Sequence, residues 1–294
     1  MRILYIGSVI FSFKILEKLF SINANIVGVI TKNKSNFNSD FFDLSKISKS
    51  RGLPVHISNN INSDETLDWI RTINPEIIFC FGWSNLLKKS ILKISKIGVL
   101  GYHPSFLPFN KGRHPLIWAK VLGLKKTGST FFFMDEGADS GDIVSQKEIV
   151  IDFEDDANTL YNKIIEASKI QIEYICKLLD NNSLKRYPQK KTGNHWRKRS
   201  AQDGLIDFRL DSESICNLVR GLSKPYVGAQ VKTQDELIRI WSINISNEII
   251  LFDYEPGKIL EIIDKKIRVK TNNGSVWLID HEFKKIPQVG SYLL

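Results

Sequence analysis

RILYIGSVIFSFKILEKLF (residues 2–20) reads as a strand, a glycine turn and a helix. The apolar run 2–7 ends at Gly7, and FSFKILEKLF (11–20) carries helical spacing. Outward from this unit, NIVGVIT (25–31) is a second strand candidate, Leu53-Pro54-Val55 a third and EIIFCF (76–81) a fourth. Between them DETLDWIRTI (64–73) is helical, with Ser63 as N-cap and Asn74-Pro75 as the stop. Strand–helix alternation predicts an α/β fold, a Rossmann-like parallel sheet whose ligands bind beyond the carboxyl ends of the strands. The segments after residues 6, 30, 81 and 103 are therefore where a site is expected. The first turn, GSVIFS, has no G-x-G-x-x-G, and there is no Walker A lysine pattern, which disfavours NAD or ATP use.

Further along, ANTLYNKIIEASKIQIEYICKLLD (157–180) predicts one long amphipathic helix. RYPQKKTGNHWRKRS (186–200) is polar and basic, open to two readings: a solvated connector or a phosphate-contacting one. DSESICNLVRGL (211–222) is a capped helix stopped by Lys224-Pro225. Short strand-like runs follow, with turns at Asp235, Glu255-Pro256-Gly257, Asp264 and Asn273-Gly274; the Asn-Gly pair is a hairpin signal. They predict a small open β-barrel. The expected organisation is a catalytic domain over 1–185, a linker over 186–203 and a C-terminal domain over 204–294.

The chain has 294 residues, 43% of them hydrophobic and 25% charged, enough to bury a core without metals or disulfides. Cys80, Cys176 and Cys216 show no metal-site spacing and read as buried thiols in a reducing compartment. No leader and no membrane-length apolar run is visible, so a cytoplasmic location and no membrane partner are expected. The +9 charge favours anionic partners without choosing between nucleic acid and a small anion.

GYHPSFLPFNKGRHPLIW (101–118) and FFFMDEGADSGDI (131–143) carry the chemistry. His103 leaves a strand in a proline-framed loop, and imidazole is the side chain that exchanges a proton near neutral pH. Asp135, Glu136, Asp139 and Asp142 share one glycine-broken loop. They match no calcium loop; the favoured reading is a tight loop in which one carboxylate faces a partner and the others cap turns or helices. Arg113 offers a planar fork to a carboxylate or phosphate, with a surface ion pair as the equal alternative. Trp83, after a buried strand and a glycine, can face a flat heterocycle. His56, His114, His195 and His281 read as structural.

These residues resemble the 10-formyltetrahydrofolate-dependent N-formyltransferases, a family that includes methionyl-tRNA formyltransferase and the formyltransferases of nucleotide-linked amino sugars. The family patterns N-x-H-x-S-L-L-P-x-x-R-G and M-D-x-G-x-D-T-G-D are matched by HPSFLPFNKG at 103–112 and MDEGADSGD at 134–142. WRKRSAQDGLIDF (196–208) is similar to the second-domain entry of the sugar-modifying branch. The resemblance implies a Rossmann-like domain followed by an OB-like one, N10-formyltetrahydrofolate as co-substrate and no metal. It implies His103 as the catalytic histidine and Asp139 as its partner. It implies pterin binding by Trp83 and the main chain of Asn85, Leu86 and Leu87, with Asp135, Glu136, Gly137, Ala138 and Asp139 as the opposite wall. Arg113 falls where an arginine contacts folate or acceptor; Ser105 and Arg197 are carried as substrate contacts. Two departures from the pattern bear on the chemistry. Gly101 stands at the third catalytic position, where the family has the asparagine that holds the formyl oxygen. Lys111 stands for an arginine before Gly112.

The expected acceptor is the primary amine of a nucleotide-linked amino-deoxysugar. The tRNA reading ranks lower because KNKSNFNSDFFDLSKISKS (32–50) is not strongly basic. A non-catalytic folate-binding homologue stays open because of Gly101, and a homodimer stays open as the assembly.

Overall fold

The computed structural model describes every residue except 35–37, 191, 234–235, 249–252 and 294. The turn expected at Asp235 lies outside the described residues. Contacts divide the chain into two units: residues 1–113, 127–149 and 162–196 in one, and 114–126, 150–161 and 197–294 in the other.

The first unit is built on a parallel sheet. Strands β1 (Ile3–Ile6), β2 (Ile26–Thr31), β3 (Val55–Ile57), β4 (Ile77–Cys80) and β5 (Val99–His103) lie in the order β3-β2-β1-β4-β5. The pairings β1–β2, β1–β4, β2–β3 and β4–β5 are all parallel. Helices α1 (Ile10–Ser21), α2 (Ser45–Lys49), α3 (Asp64–Ile73) and α4 (Lys89–Leu92) alternate with them. β1 and β4 are buried on both faces, which is why their sequences are unbroken apolar runs. The Ser63 hydroxyl accepts from Thr66 N–H at 3.3 Å to start α3, and Asn74, at φ 48°, ends it.

β1 and β4 end side by side on two glycines. A Cβ on Gly7 would stand 2.5 Å from Ser12 Cβ, and one on Gly82 would stand 2.2 Å from Val9 Cγ2. The absent side chains let Ser12 Oγ reach Phe81 O at 2.6 Å. Gly7 is thus a packing glycine at a tight strand-to-helix turn.

The last two strands of the sheet were not expected from the sequence. After β6 (Lys111–Gly112) and α5 (Pro115–Val121) come β7 (Lys126–Phe133) and β8 (Ile143–Val150), which extend the sheet beyond β5. β7 runs antiparallel to β5, pairing Leu100 with Phe133 and His103 with Thr130. Seven of its eight residues are buried, so it lacks the alternation that marks a strand. It carries the 134–142 loop to β5, where Met134 N–H donates to Val99 O at 2.8 Å. Helix α6 (Ala157–Asp180) has the expected bounds. Its Gln171 Nε2 donates to Ser129 O at 3.1 Å and Ser145 Oγ at 2.9 Å, satisfying polar atoms buried over β7 and β8.

Several described residues of the basic stretch after α6 are tied to the sheet unit. Tyr187 bridges Ile143, Arg186 donates to Ile97 O at 2.7 Å, and β9 (His195–Trp196) pairs in parallel with β6.

In the second unit, α7 (Ser212–Leu222) packs on an antiparallel sheet of β10 (Ala229–Lys232), β11 (Leu237–Ile245), β12 (Ile259–Ile263), β13 (Lys266–Lys270) and β14 (Ser275–His281). The order is β10-β11-β14-β13-β12; on the outer strands, Ile206 N–H donates to Gln230 O of β10 at 2.7 Å and Ile259 N–H of β12 donates to Ser291 O at 2.8 Å. Asp211 caps α7 by accepting from Ser214 N–H at 2.8 Å. Ile267, Val269, Val276 and Leu278 alternate into one core, and Asn273-Gly274 lies in the β13–β14 turn. Among the described residues no helix is long and apolar enough to cross a membrane.

Candidate active site

His103 ends β5, and the loop after it is fixed by its own polar groups. Ser105 Oγ donates to Phe109 O at 2.8 Å, Thr130 Oγ1 to Ser105 O at 2.6 Å, and Gln146 Nε2 to Leu107 O at 2.8 Å. Gly112, at φ 97°, passes so close to the β9 segment that a Cβ would stand 2.4 Å from Trp196 O. The imidazole is 5% exposed. Its Nε2 lies 2.9 Å from Asn110 O, and its Nδ1 lies 3.6 Å from Asp139 Oδ2.

A carbonyl oxygen only accepts, so Nε2 carries a proton. In the neutral ring Nδ1 is then the bare nitrogen, and it faces a carboxylate. The 3.6 Å separation exceeds the 2.7–2.9 Å typical of a charge-assisted hydrogen bond. A proton arriving at Nδ1 gives this pair a favourable ion contact that the neutral ring lacks. Asp139 is held independently of the imidazole: its Oδ2 accepts from Gly112 N–H at 3.0 Å, and its backbone lies at φ 55°. The arrangement is a base with an anion placed to stabilise its conjugate acid.

The formyl transferase family model matches residues 1–174, and the formyl transferase C-terminal domain model matches 198–293. The chain belongs to the formyl transferase family. It is 33% identical over 249 residues to the bifunctional polymyxin resistance protein ArnA of Wigglesworthia glossinidia brevipalpis, covering 83% of this chain and 38% of that protein. The chain thus spans about two fifths of that curated relative. Among solved structures it is similar to HypX from Aquifex aeolicus in complex with tetrahydrofolic acid, with TM-score 0.68 and 19% identity over 97% of this chain and 44% of that one. It is also similar to an N-formyltransferase from Helicobacter canadensis in complex with folinic acid and dTDP-3-aminofucose, with TM-score 0.68 and 17% identity over 94% and 98%. At these identities the structural likenesses speak to fold.

The formyl transferase signature positions fall as follows. Gly101 is two residues before His103 on β5, paired with Cys80 and Phe132. A Cβ there would stand 2.8 Å from both Cγ and Cε of Met134, so a thioether fills the space beside the missing side chain. In the 134–142 loop, Asp135 Oδ1 accepts from Gly137 N–H at 3.0 Å and Ser140 Oγ at 2.7 Å, and Glu136 pairs with Lys89 at 3.1 Å. One carboxylate faces the imidazole while another closes the turn. Among the described residues no group of His, Cys, Asp and Glu could hold a metal. Gly137 and Ala138 are exposed.

Across the β4 end, Trp83 packs on the core around Ile78 and Leu87, and its indole Nε1 is buried with no hydrogen-bond partner. Lys32 Nζ lies 4.6 Å from the Trp83 ring centre and donates to Asn85 Oδ1 at 3.1 Å; burial lowers its ammonium pKa. Leu86 is 68% exposed while Leu87 is buried. Asn62, which no sequence pattern singles out, clasps this segment: its Nδ2 donates to Leu86 O at 2.9 Å and its Oδ1 accepts from Lys88 N–H at 2.8 Å. Arg113 Nη2 donates to Ser84 O at 3.0 Å. Ser105 is fully buried, so its hydroxyl braces the loop. Arg197 lies in the second unit, forked onto Asp203 and over the Trp118 ring; that guanidinium holds the Asp203 carboxyl well below the usual range.

Proposed function

We propose that the chain is an N-formyltransferase that moves a formyl group from N10-formyltetrahydrofolate to the primary amine of a nucleotide-linked amino-deoxysugar. The observation that carries this reading is the His103–Asp139 pair, with Nδ1 bare and 3.6 Å from a carboxylate, inside the family's two signature loops. The sugar acceptor is favoured by the DGLIDF stretch at 203–208. It is further supported by the likeness to the Helicobacter canadensis enzyme, whose complex contains dTDP-3-aminofucose.

Trp83 to Leu87 and the 135–139 segment are the residues assigned to the folate. They fit a pterin in one respect the structure carries: the orphaned Trp83 Nε1 is a buried donor in need of an acceptor. The folate, when bound, supplies the formyl group as an amide whose nitrogen can leave. His103 Nδ1 takes the proton that the acceptor amine loses as its nitrogen bonds to the formyl carbon. Asp139 stabilises the resulting imidazolium. His103 then returns that proton to the departing folate nitrogen as its bond to carbon breaks, leaving the site as it began. With glycine at 101, the side-chain donor that the family pattern places on the formyl oxygen is absent from this chain.

The test is a substrate panel with the wild-type chain and His103→Asn, followed by folate absorbance. Turnover with an amino-sugar nucleotide, lost by a factor on the order of 100 or more in the variant, is expected. Turnover only with aminoacylated initiator tRNA overturns the acceptor class. Folate binding without turnover on any acceptor overturns the catalytic reading, as does activity in His103→Asn within a few-fold of wild type.

A further inference from the structure

The proton on His103 Nε2 is placed by a residue 91 positions away. Asn110 O, the acceptor at 2.9 Å from Nε2, belongs to a residue at φ 61°, a left-handed backbone that a non-glycine residue holds only when its surroundings impose it. What imposes it is visible. Asn110 N–H donates to Asn194 Oδ1 at 2.9 Å, and Lys111 N–H donates to Asn194 O at 3.1 Å. Next to them, a Cβ on Gly193 would stand 2.1 Å from Pro108 O, so that backbone rests directly on the loop. The same stretch holds the other side of the pair: Gln189 Nε2 donates to Asp139 O at 2.9 Å and to Gly141 O at 2.8 Å.

We infer that Asn194 is a positioning residue that fixes the tautomer of His103. Its carboxamide oxygen holds the Asn110 peptide so that the Asn110 carbonyl meets Nε2. The ring proton therefore sits on Nε2, and the lone pair of Nδ1 faces Asp139. Without that acceptor, Asn110 is free to relax toward ordinary backbone angles, its carbonyl turns from Nε2, and the neutral ring takes the Nδ1–H tautomer that donates to Asp139. That tautomer has no base on the Asp139 side. Gln189 acts in the same sense from the opposite side, holding the peptide of the carboxylate residue. The stretch read from sequence as a connector is thus a clasp on both halves of the acid–base pair.

The kinetic consequence rests on the function proposed above, but the tautomer does not, and the experiment separates them. Histidine-selective 15N spectra of the full chain are recorded at alkaline pH, where an ordinary imidazole is neutral, with His103→Asn assigning the resonance. Wild type is expected to show Nε2 protonated and Nδ1 bare. Asn194→Ala and Asn194→Leu, the second keeping the volume without the acceptor, are expected to shift the ring toward Nδ1–H. Asn194→Asp, which keeps an oxygen acceptor, is expected to restore the wild-type pattern. In turnover, Ala and Leu lower kcat by about tenfold or more with KM little changed, and Asp stays within a few-fold. An unchanged His103 tautomer in both Ala and Leu overturns the inference, as does equal loss in Asp. If the tautomer shifts as expected but the wild-type chain formylates nothing, the positioning role stands and the proposed activity falls.

Discussion

Asp139 Oδ2 is shared between two groups: it accepts from Gly112 N–H at 3.0 Å and stands 3.6 Å from His103 Nδ1. The backbone donor fixes the carboxylate independently of the imidazole. A neutral replacement of Asp139 can therefore keep its place and lose only its charge.

Asp139→Asn retains an oxygen for Gly112 N–H. It is expected to leave the melting temperature within a few degrees of wild type. kcat falls by on the order of tenfold to hundredfold, about 1.4–2.7 kcal/mol of lost imidazolium stabilisation. Thermal melts and steady-state turnover check this. A melting temperature lowered by ten degrees or more would instead make the carboxylate a folding element.

Gly101→Asn restores the family residue into space occupied by Met134 Cγ and Cε, each 2.8 Å from the new Cβ. Overpacking of this kind costs about 1–3 kcal/mol. The double change Gly101→Asn with Met134→Ala is expected to recover part of that loss, since the two positions touch. Denaturant titration of the singles and the double measures the coupling. Simple additivity would show that Met134 is not the obstacle.

Burial pushes the Cys80 and Cys176 thiols up to about 12 and the Cys216 thiol up to about 11, with desolvation as the largest cause in each. At pH 8 all three are thiols rather than thiolates, and all three are buried. Native protein is expected to react negligibly with a disulfide reagent over minutes, and to yield three equivalents once unfolded. A rapid native reaction at any of them contradicts the core packing described.

Glu173 joins α6 to α1 through Lys18 at 2.6 Å and pairs along α6 with Lys177 at 3.0 Å. Hydrogen bonds from Lys18 and then Lys177 lower its carboxyl from the usual 4.5 to about 2. A depressed carboxyl contributes stability that is present above its unfolded pKa and lost as pH falls through the folded one. Glu173→Gln is therefore expected to flatten the fall in melting temperature between about pH 4.5 and pH 2. A wild-type slope in the variant over that window removes the assignment. The side chain is solvent-accessible, so the effect shrinks in high salt.

Much of the fold was legible because the signals were local. RILYIG, NIVGVIT and EIIFCF are apolar enough to be strands at any position in a chain, and Ser63, Asn74 and Asp211 mark helix ends by their own hydrogen bonding. The antiparallel pair β7 and β8 was not legible. KTGSTFFF is buried by β5 and α6 rather than patterned to alternate, and IVSQKEIV carries four polar residues in its middle. Among the expected site residues, His103 and Asp139 meet, Asp135 closes its own turn and Ser105 is buried in its loop. Asn62, Gln189 and Asn194 were invisible because single amides in polar loops carry no pattern; only their partners give them meaning.

By itself the sequence determined the alternating strand–helix order, the caps, the antiparallel C-terminal strands and the two loops that bear His103 and Asp139. Those follow from periodicity, turn chemistry and residue type, which act within a few positions. Tertiary structure alone decided which imidazole nitrogen carries the proton, what fills the space beside Gly101, and that Gln189 and Asn194 bond to the main chain of Asp139 and Asn110. Each of these depends on atoms dozens of residues apart meeting within hydrogen-bonding or van der Waals distance, and nothing in the local spacing of the chain encodes such a meeting.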